Sequence, residues 1–201
     1  MKELDHEKGK KGENIRITID TEIQKFLTES LKDKSGSISV MDIFTGEIIA
    51  IQSSPTFDPN MFIYGIGNEE WKKITKNPLK PLLNKTLSGL YSPGSTIKPI
   101  VALSALENNV INKDFKVRCT GKIELFGQTY HCWKDKGHGL MDLRNAVKQS
   151  CDTYFYEVAR LLGVDRLKKT AEDFGLGKKV LENSFLEEKK GIVPSTEWKK
   201  D

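Results

Sequence analysis

The chain has 201 residues, of which 37% are hydrophobic and 30% are charged, and its 32 basic and 28 acidic residues give a net charge of +4. This balance fits one folded domain or part of a larger one, and it excludes an intrinsically disordered chain. The basic residues are scattered and form no stripe with interleaved aromatic side chains, which excludes a nucleic-acid partner. No stretch approaches the about 18 apolar residues that span a bilayer, and residues 1–14 are too polar for a secretory signal, so the sequence predicts neither segment.

The N-terminal part of the sequence predicts a linker followed by an amphipathic helix. Residues 1–15 are rich in lysine and glycine and are interpreted as the linker. Asp20 then offers a side chain that can cap the start of a helix. The apolar face of this helix has the spacing of about three turns and consists of Ile23, Phe26, Leu27 and Leu31.

A β-hairpin and a long irregular segment follow this helix. Residues 37–43 and 47–52 are rich in strand-forming side chains, and the Phe-Thr-Gly sequence at 44–46 predicts the turn between them. Residues 53–90 contain four prolines at positions 55, 59, 78 and 81 together with scattered glycines. This composition predicts an irregular surface segment.

The second half of the sequence predicts helices around one further hairpin. A helix is expected from Ser95 to Asn109, because Pro99 would lie in its first turn, where backbone amides lack helical partners anyway. Residues 122–133 predict a β-hairpin that turns at Gly127. Three short helices are then expected, at residues 141–149, 152–162 and 164–174.

Ser95 and Lys98 form a Ser-x-x-Lys pair at the start of the first of these helices. Residues three apart share one face of a helix, so the Lys98 amine can approach the Ser95 hydroxyl and act as the base that activates it. The free amides at a helix start favour the negative charge that develops on the serine oxygen. The bare pair is common by chance, but here Pro93, Gly94 and Pro99 fix the serine at a junction between a turn and a helix. This context indicates a nucleophilic serine.

Several segments resemble the motifs of one enzyme family. Residues 89–99, GLYSPGSTIKP, resemble the nucleophile motif of class B penicillin-binding proteins of the elongation type, the penicillin-binding protein 2 type. Residues 150–167, SCDTYFYEVARLLGVDRL, resemble the second motif of that family. The likeness covers nearly the whole chain, since RITIDTEIQ, WKDKGHG and IVPSTEWK also match family patterns.

This resemblance implies an α+β fold in which helices pack on an antiparallel sheet. The chain would form the front part of the penicillin-binding, serine-transpeptidase fold, which is β-lactamase-like, and this fold would be incomplete at its C-terminal side. Residues 16–201 would be the N-terminal portion of the transpeptidase domain. Residues 1–15 would be a linker from a missing N-terminal region.

The resemblance also implies roles for four residues. Ser95 would be the acylated nucleophile and Lys98 its proton partner. Ser150 would be the serine of a Ser-x-Asn type motif, with Asp152 in the third position. Because Ser150 lies between two predicted helices, its hydroxyl can pass a proton to a leaving amine. Asp152 can in addition cap the helix that follows it.

The function implied is that of a peptidoglycan D,D-transpeptidase, which cross-links stem peptides ending in D-Ala-D-Ala and is acylated by β-lactams. The full-length protein would act at the periplasmic face of the bacterial inner membrane, with a membrane glycosyltransferase as a partner. Two alternatives stay open. One is a serine β-lactamase or β-lactam sensor, which shares Ser-x-x-Lys but not the Gly-His-Gly segment at 137–139. The other is a non-catalytic, zinc-stapled binding module in which Ser95 and Lys98 are ordinary surface residues.

The third motif of the family, a Lys-Thr-Gly triplet on a strand that lines the site, does not occur in the 201 residues. In the family this strand contributes substrate carboxylate binding and one amide of the oxyanion hole. Loss of one oxyanion donor typically lowers the rate ~100- to 1000-fold. We therefore expect this chain alone to be nearly inactive.

Three cysteines and one histidine predict a metal site. Cys119, Cys132 and Cys151 fall within 33 residues, together with His138, whose glycine neighbours let the backbone bend around a ligand. Three thiolates and one imidazole make a closed tetrahedral set for structural zinc. Because Cys151 directly follows Ser150, the metal would hold the loop that carries the second catalytic motif.

Alternatives to this metal site remain open at the level of sequence. His131 is a rival nitrogen ligand, although next to Cys132 in a strand it would point the other way. A disulfide between Cys119 and Cys132, or unpaired buried thiols, would also account for the cysteines. The resemblance supports zinc, because zinc is associated with this position in some members of the family, with ligand types that vary.

Overall fold

A computed structural model describes residues 11–181 and 187–200. The chain divides into two compact units, residues 1–89 and residues 90–201. The predicted linker is only partly described: residues 11–15 have no regular secondary structure, and residues 1–10 lie outside the described part. No helix within the described ranges is long and apolar enough to cross a membrane.

Helix α1 opens the first unit and spans Thr21–Ser30. The Asp20 carboxylate accepts hydrogen bonds from the backbone N–H groups of Glu22 and Ile23, each at 2.9 Å, so the predicted cap is confirmed. Leu27 is buried, at 6% exposure, whereas Phe26 is 65% exposed. The apolar face predicted from the sequence is therefore only partly buried.

The first predicted hairpin is also confirmed. Strands β1, Gly36–Met41, and β2, Ile48–Ser54, pair antiparallel with Ile38 opposite Gln52. The Asp42 carboxylate accepts the N–H groups of Phe44 and Thr45 in the turn. The hairpin tip is thus held by a side chain that mimics a backbone turn.

The segment between β2 and the end of this unit is less irregular than the sequence suggested. It contains a 3₁₀ turn at Pro59–Phe62, helix α2 at Asn68–Thr75 and helix α3 at Lys85–Ser88. Helix α2 buries none of its residues, and no side chain caps it. It has only two large apolar residues, Trp71 and Ile74, and it lacks the capping side chain by which the start of a helix is recognised in a sequence.

Four helices form the centre of the second unit: α4, Lys98–Glu107; α5, Leu143–Lys148; α6, Asp152–Leu162; and α7, Val164–Asp173. The three helices predicted after residue 140 are thereby confirmed. The core of the unit includes Ala105 on α4 and Tyr154 and Val158 on α6, all fully buried. Helix α6 is therefore anchored in the core, which fixes the position of the residues at its N-terminus.

Two small antiparallel sheets complete the second unit. Strands β4, Lys122–Leu125, and β5, Gln128–His131, form the predicted hairpin, whose turn contains Phe126 and Gly127, both at positive φ. Strands β3, Val117–Cys119, and β6, Gly139–Met141, pair with Cys119 opposite Gly139. The sequence did not predict this second pair, because each strand has only three residues and the partners are distant in the chain. The strands of the described residues thus lie in three two-stranded sheets, β1–β2 included.

Candidate functional site

Ser95 lies in a 3₁₀ turn, Gly94–Ile97, that leads directly into α4. Gly94 has φ +57°, a conformation that glycine adopts without steric cost. The serine side chain is exposed, whereas Lys98, the first residue of α4, is 9% exposed. The predicted helix therefore begins as a 3₁₀ turn, which presents the hydroxyl outward and sends the lysine inward.

The buried Lys98 amine contacts the loop between α5 and α6. Its Nζ donates to the Ser150 carbonyl oxygen at 2.9 Å, to the Ser150 Oγ at 2.9 Å and to Asp152 Oδ1 at 2.6 Å. All three protons of an ammonium group thus have an acceptor. Lys98 fixes the position of this loop relative to the start of α4.

The link from Lys98 to Ser95 runs through Ser150. The Ser150 hydroxyl donates to Ser95 Oγ at 3.0 Å and itself lies within hydrogen-bond distance of the Lys98 amine. The sequence suggested direct contact between Lys98 and Ser95. The structure differs because the carboxylate of Asp152 and the carbonyl and hydroxyl of Ser150 take up the three donors of the amine.

Ser150 has a left-handed backbone conformation, with φ +50°. This conformation costs roughly 1–2 kcal/mol for a residue other than glycine, so neighbouring contacts must hold it. The Ser150 N–H bonds the Val147 carbonyl at 3.2 Å, and the Cys151 N–H bonds the Ala146 carbonyl at 3.0 Å. The strained turn aims the Ser150 hydroxyl at Ser95.

Asp152 is the first residue of α6, and its carboxylate joins two other parts of the site. Oδ1 accepts from Lys98, and Oδ2 accepts the Trp133 backbone N–H at 2.9 Å. Burial opposes ionisation of this carboxyl, but the bonds from Lys98 and Trp133 outweigh it and hold the Asp152 pKa below its ordinary value. The interpretation of Asp152 as a helix cap is wrong, because Cys151 is the N-cap residue and no side chain caps α6.

The four predicted metal ligands come together in one cluster. The Sγ atoms of Cys119, Cys132 and Cys151 and a ring nitrogen of His138 all lie within 4.8 Å of one another. The small sheets explain why: β3 pairs with β6 beside His138, and the Cys132 N–H bonds the Gly121 carbonyl at 2.8 Å. The three cysteines are buried free thiols. Cys119 and Cys132 therefore form no disulfide in this structure.

Distances in the cluster suit a tetrahedral centre. His138 Nδ1 lies 3.6 Å from Cys119 Sγ and 3.5 Å from Cys132 Sγ. Zinc bonds to sulfur and to imidazole nitrogen at tetrahedral angles separate the two ligand atoms by roughly 3.6 Å. The rival ligand His131 is exposed on β5 and is not among the clustered residues. The donor set therefore fits zinc, and the binding of the ion stays a prediction.

Two thiols of the cluster, those of Cys119 and Cys151, have pKa values that shift in opposite directions. Burial alone would raise the pKa of the Cys119 thiol, but hydrogen bonds from Thr153 and from the backbone and ring of His138 lower it to about 6. For Cys151, burial, with the nearby cysteine sulfurs adding to it, raises the thiol pKa to about 12. A central cation would favour the thiolate form of its cysteine ligands.

Comparison with known proteins places the chain in a family. Residues 36–201 match the family described as the penicillin binding protein transpeptidase domain. The chain belongs to the penicillin-binding protein transpeptidase family. The resemblance seen in the sequence motifs is thereby confirmed.

The curated relatives are transpeptidases, as the sequence motifs indicated. The peptidoglycan D,D-transpeptidase MrdA of Acinetobacter baumannii is 33% identical over 99% of this chain, and MrdA of Escherichia coli K12 is 35% identical over 94% of it. In both comparisons the chain spans about 30% of the relative's own length. These relatives, which are transpeptidases, do not favour the β-lactamase, sensor or binding-module alternatives.

Solved structures of the family share the fold. The crystal structure of Pseudomonas aeruginosa PBP2 in complex with WCK 5153 has a TM-score of 0.85 and 36% identity, covering 92% of this chain and 42% of that one. PBP2 of Helicobacter pylori, in a complex with MreC, has a TM-score of 0.83 and 35% identity, covering 90% of this chain and 34% of that one. The predicted α+β transpeptidase fold, present here in part, is thereby confirmed.

The structure brings Ser95, Lys98, Ser150 and Asp152 to one place, and their catalytic roles stay predictions. Sequence reasoning gave no role to Trp133, whose backbone reaches Asp152 and whose indole N–H donates to the Gln149 carbonyl at 3.0 Å. It also missed Thr153, whose hydroxyl lies 3.3 Å from Cys119 Sγ. Both residues adjoin a predicted ligand or catalytic residue, and both lie in segments that resemble family motifs, WKDKGHG for Trp133 and SCDTYFYEVARLLGVDRL for Thr153.

Proposed function

We propose that the chain is part of the catalytic domain of a peptidoglycan D,D-transpeptidase. In this function Ser95 forms an acyl-enzyme with a stem peptide that ends in D-Ala-D-Ala. The observation that carries the proposal is the continuous hydrogen-bond network from Ser95 through Ser150 to Lys98 and Asp152. A nucleophile that contacts a second hydroxyl, which in turn contacts an amine held by a carboxylate, is an arrangement suited to acyl transfer.

The acylation step uses this network to move one proton. In the structure the Ser150 hydroxyl donates to Ser95 Oγ at 3.0 Å, so both hydroxyls turn for the reaction. As Ser95 Oγ attacks the carbonyl carbon of the penultimate D-alanine, its proton passes to Ser150 Oγ while Ser150 releases its own proton. Ser150 gives a proton to the nitrogen of the departing D-alanine as the C–N bond breaks. The amine of a second stem peptide then attacks the ester, returns a proton by the same route and frees Ser95.

Lys98 supports both steps through Ser150. Its amine lies 2.9 Å from Ser150 Oγ, so it stabilises negative charge on that oxygen while protons are exchanged. Asp152 keeps the amine in place, and the buried start of α4 keeps its environment poor in water. A β-lactam would enter the same sequence, because attack by Ser95 opens its amide ring and leaves a covalent acyl-enzyme.

The remaining part of the proposed active site lies in the Lys-Thr-Gly strand, a triplet that these 201 residues do not contain. That strand would supply substrate carboxylate binding and one amide of the oxyanion hole. Without it the rate should fall by ~100-fold or more. We therefore propose that the 201-residue chain by itself is nearly inactive and that a complete version is the active enzyme.

We further propose that the complete enzyme works at the periplasmic face of the inner membrane, with a membrane glycosyltransferase. Support comes from relatives: one solved structure at 31% identity, with a TM-score of 0.78, is described as coordinating polymerization and crosslinking in a peptidoglycan synthase complex. It covers 92% of this chain and 35% of that one. Coupling of the two activities would deliver new glycan strands directly to the transpeptidase.

We also propose that Cys119, Cys132, Cys151 and His138 hold one structural zinc ion. The support is the clustering of four donors within 4.8 Å and the distances of 3.5 and 3.6 Å between the imidazole nitrogen and two sulfurs. Four protein ligands leave no open position, so the ion would cross-link the protein and take no part in acyl transfer. Since Cys151 lies between Ser150 and Asp152, these ligands would hold the catalytic loop against the small sheets.

The test of the proposed activity is covalent labelling of a complete version of the protein, one that includes the Lys-Thr-Gly strand. Fluorescent penicillin should label the parent at Ser95, with the adduct located by mass spectrometry. The Ser95→Ala variant should not be labelled. Ser92→Ala is the matched control, because Ser92 is another exposed serine in the same loop, and its labelling should equal that of the parent.

Three outcomes would contradict the proposal. They are an adduct that survives in Ser95→Ala, an equal loss of labelling in Ser92→Ala, and rapid stoichiometric acylation of the 201-residue chain by itself. Fast hydrolysis of a chromogenic β-lactam by the complete protein would favour the β-lactamase alternative, because a transpeptidase releases the opened ring slowly. Absence of any labelling in the parent would favour a non-catalytic module.

A further inference from the structure

We propose that Trp133 is a positioning residue that holds the catalytic loop, Gln149–Asp152, in its reactive conformation. The proposal rests on the transpeptidase function proposed above, since it assigns a role in that reaction. The proposal rests on three contacts of this one residue. Trp133 contacts Asp152, the peptide group that precedes Ser150, and His138 of the cysteine–histidine cluster.

The hydrogen bond from the indole acts on the strained part of the loop. Trp133 Nε1 donates to the Gln149 carbonyl oxygen at 3.0 Å, and the N–H of the same peptide group bonds the Val147 carbonyl at 3.2 Å. Because a peptide group is planar and rigid, bonds at both of its ends fix its orientation. This orientation sets φ of Ser150, which has the unfavourable value of +50°.

The peptide group on the other side of Ser150 is held in the same way. Its carbonyl accepts from Lys98 Nζ at 2.9 Å, and its N–H, that of Cys151, bonds the Ala146 carbonyl at 3.0 Å. Four hydrogen bonds thus hold the two peptide groups that flank Ser150. Lys98, a residue of the proposed catalytic network, donates one of these bonds, and two backbone carbonyls of α5 accept two others. The indole of Trp133 donates the fourth.

Trp133 also fixes the acidic end of the network through its backbone. Its N–H donates to Asp152 Oδ2 at 2.9 Å, while the other oxygen of this carboxylate pairs with Lys98. The Asp152 carboxylate is therefore held from two directions. Movement of the chain at Trp133 would disturb the ion pair and the Ser150 turn together.

The indole ring connects this loop to the cluster. It stands edge to face with the His138 ring, with centroids 5.1 Å apart and planes at 68°, and it directly follows Cys132 in the chain. The side chain is nevertheless 64% exposed, so it contributes little to the hydrophobic core. An exposed tryptophan with two directed hydrogen bonds and an edge-to-face contact with a histidine ring has a positional role in this structure, and burial does not explain it.

The Trp133→Phe variant isolates the indole N–H. Phenylalanine keeps an aromatic ring next to His138 and leaves the backbone bond to Asp152, and it removes the donor to the Gln149 carbonyl. Trp198→Phe is the matched control, since Trp198 is an exposed tryptophan of the same unit, at 52% exposure, whose backbone N–H donates to Ser195 Oγ at 3.0 Å. A melting curve and a metal analysis of each protein would establish that both variants fold and keep the same metal content.

The first measurement is amide hydrogen exchange on the 201-residue chain itself. In Trp133→Phe the amides of Ser150 and Cys151 should exchange about fivefold faster, while amides in the middle of α4 keep their rates. Trp198→Phe should match the parent at every one of these amides. Unchanged exchange at Ser150 and Cys151 in Trp133→Phe would overturn the proposal.

The second measurement separates positioning from direct contact with a ligand. In a complete version of the protein, the rate constant of acylation by fluorescent penicillin should fall about fivefold in Trp133→Phe, which equals roughly 1 kcal/mol, the net contribution of one hydrogen bond. The dissociation constant of the complex before acylation should stay within twofold. A weaker complex with an unchanged acylation rate would identify Trp133 as a ligand contact and overturn the positioning role.

The two measurements also distinguish this proposal from the proposed function. If the complete parent protein is not acylated at Ser95, the transpeptidase assignment fails, and the exchange rates still decide whether Trp133 holds the loop. If the parent is acylated and Trp133→Phe changes neither exchange nor acylation, the assignment stands and the positioning role is wrong.

Discussion

Lys98 and Asp152 form an ion pair of 2.6 Å between Nζ and Oδ1, with side chains that are 11% and 21% exposed. The pair joins the first residue of α4 to the first residue of α6. Because both groups are largely removed from water, loss of either partner leaves a charge that is poorly solvated. The ion pair therefore links the stability of the second unit to the geometry of the proposed active site.

The Asp152→Asn substitution removes the negative charge of the side chain and keeps its size. Asparagine can still accept the Trp133 N–H, but it cannot neutralise Lys98. We expect the free energy of unfolding to fall by roughly 1–3 kcal/mol and the acylation rate of a complete version to fall at least tenfold. Denaturant unfolding and penicillin labelling are the measurements. Asp173→Asn, at an exposed carboxylate near the end of α7, is the control and should change neither quantity. Equal stability of Asp152→Asn and the parent would contradict the importance of the pair.

The same pair predicts how stability depends on pH. The Asp152 pKa is lowered in the folded protein, because bonds from Lys98 and Trp133 outweigh the effect of burial, whereas an unfolded aspartate has a pKa of about 3.9. The folded state thus binds fewer protons. Its extra stability is fully present above about pH 5 and is lost as the pH falls through the lowered pKa.

Denaturant unfolding of the parent and of Asp152→Asn over a range of pH would measure this effect. The difference in unfolding free energy between them should be constant from about pH 5 to pH 7 and should shrink below about pH 4. A difference that grows on acidification would show that folding raises the Asp152 pKa, and it would contradict the prediction.

Local signals in the sequence predicted much of the fold. Asp20 before an apolar periodicity gave α1, and alternating strand-forming residues around Gly46 and Gly127 gave both hairpins. These features act over a few residues, so a sequence contains them directly. Helix α2 and the β3–β6 pair were missed, because the helix buries nothing and the strands are paired only through the tertiary fold.

The sequence predicted which residues form the candidate site better than it predicted the hydrogen bonds between them. Motif spacing brought Ser95, Lys98, Ser150 and Asp152 into one hypothesis. The placement of Ser150 between the other two depends on its φ of +50° and on the packing of α4 against α6, and no spacing encodes either. Trp133 was missed for the same reason, since its partners lie 16 and 19 residues away in the chain.

Two glycines on either side of His138 make a matched test of local packing. Gly137 and Gly139 have φ of +75° and +78°, so alanine at either position pays the same backbone strain, about 1–2 kcal/mol. A Cβ at Gly137 would overlap the carbonyl oxygen of Cys119 and would lie 2.6 Å from the carbonyl carbon of Thr120. A Cβ at Gly139 would meet nothing within 4 Å.

We therefore expect Gly137→Ala to lower the free energy of unfolding by about 2–5 kcal/mol, since it adds a clash with rigid backbone to the strain. Gly139→Ala should lower it by about 1–2 kcal/mol only. Denaturant titrations of the two variants beside the parent would measure both values. Equal destabilisation by the two substitutions would mean that the backbone of β3 does not approach Gly137 as closely as the structure has it.

The last prediction concerns the proposed metal. Protein purified without added metal should contain about one zinc ion per chain, as measured by elemental analysis. Because a ligand that binds only the folded state stabilises it by about 2.7 kcal/mol at 100 times its dissociation constant, chelation should lower the melting temperature by about 5–10 °C.

The His138→Ala variant should lose most of the zinc, since it removes one of four ligands. His131→Ala is the matched control, because this histidine is exposed on β5, outside the cluster, and its removal should leave the zinc content unchanged. A metal-free protein with Cys119 bonded to Cys132, or equal zinc in His138→Ala and the parent, would contradict the proposed site.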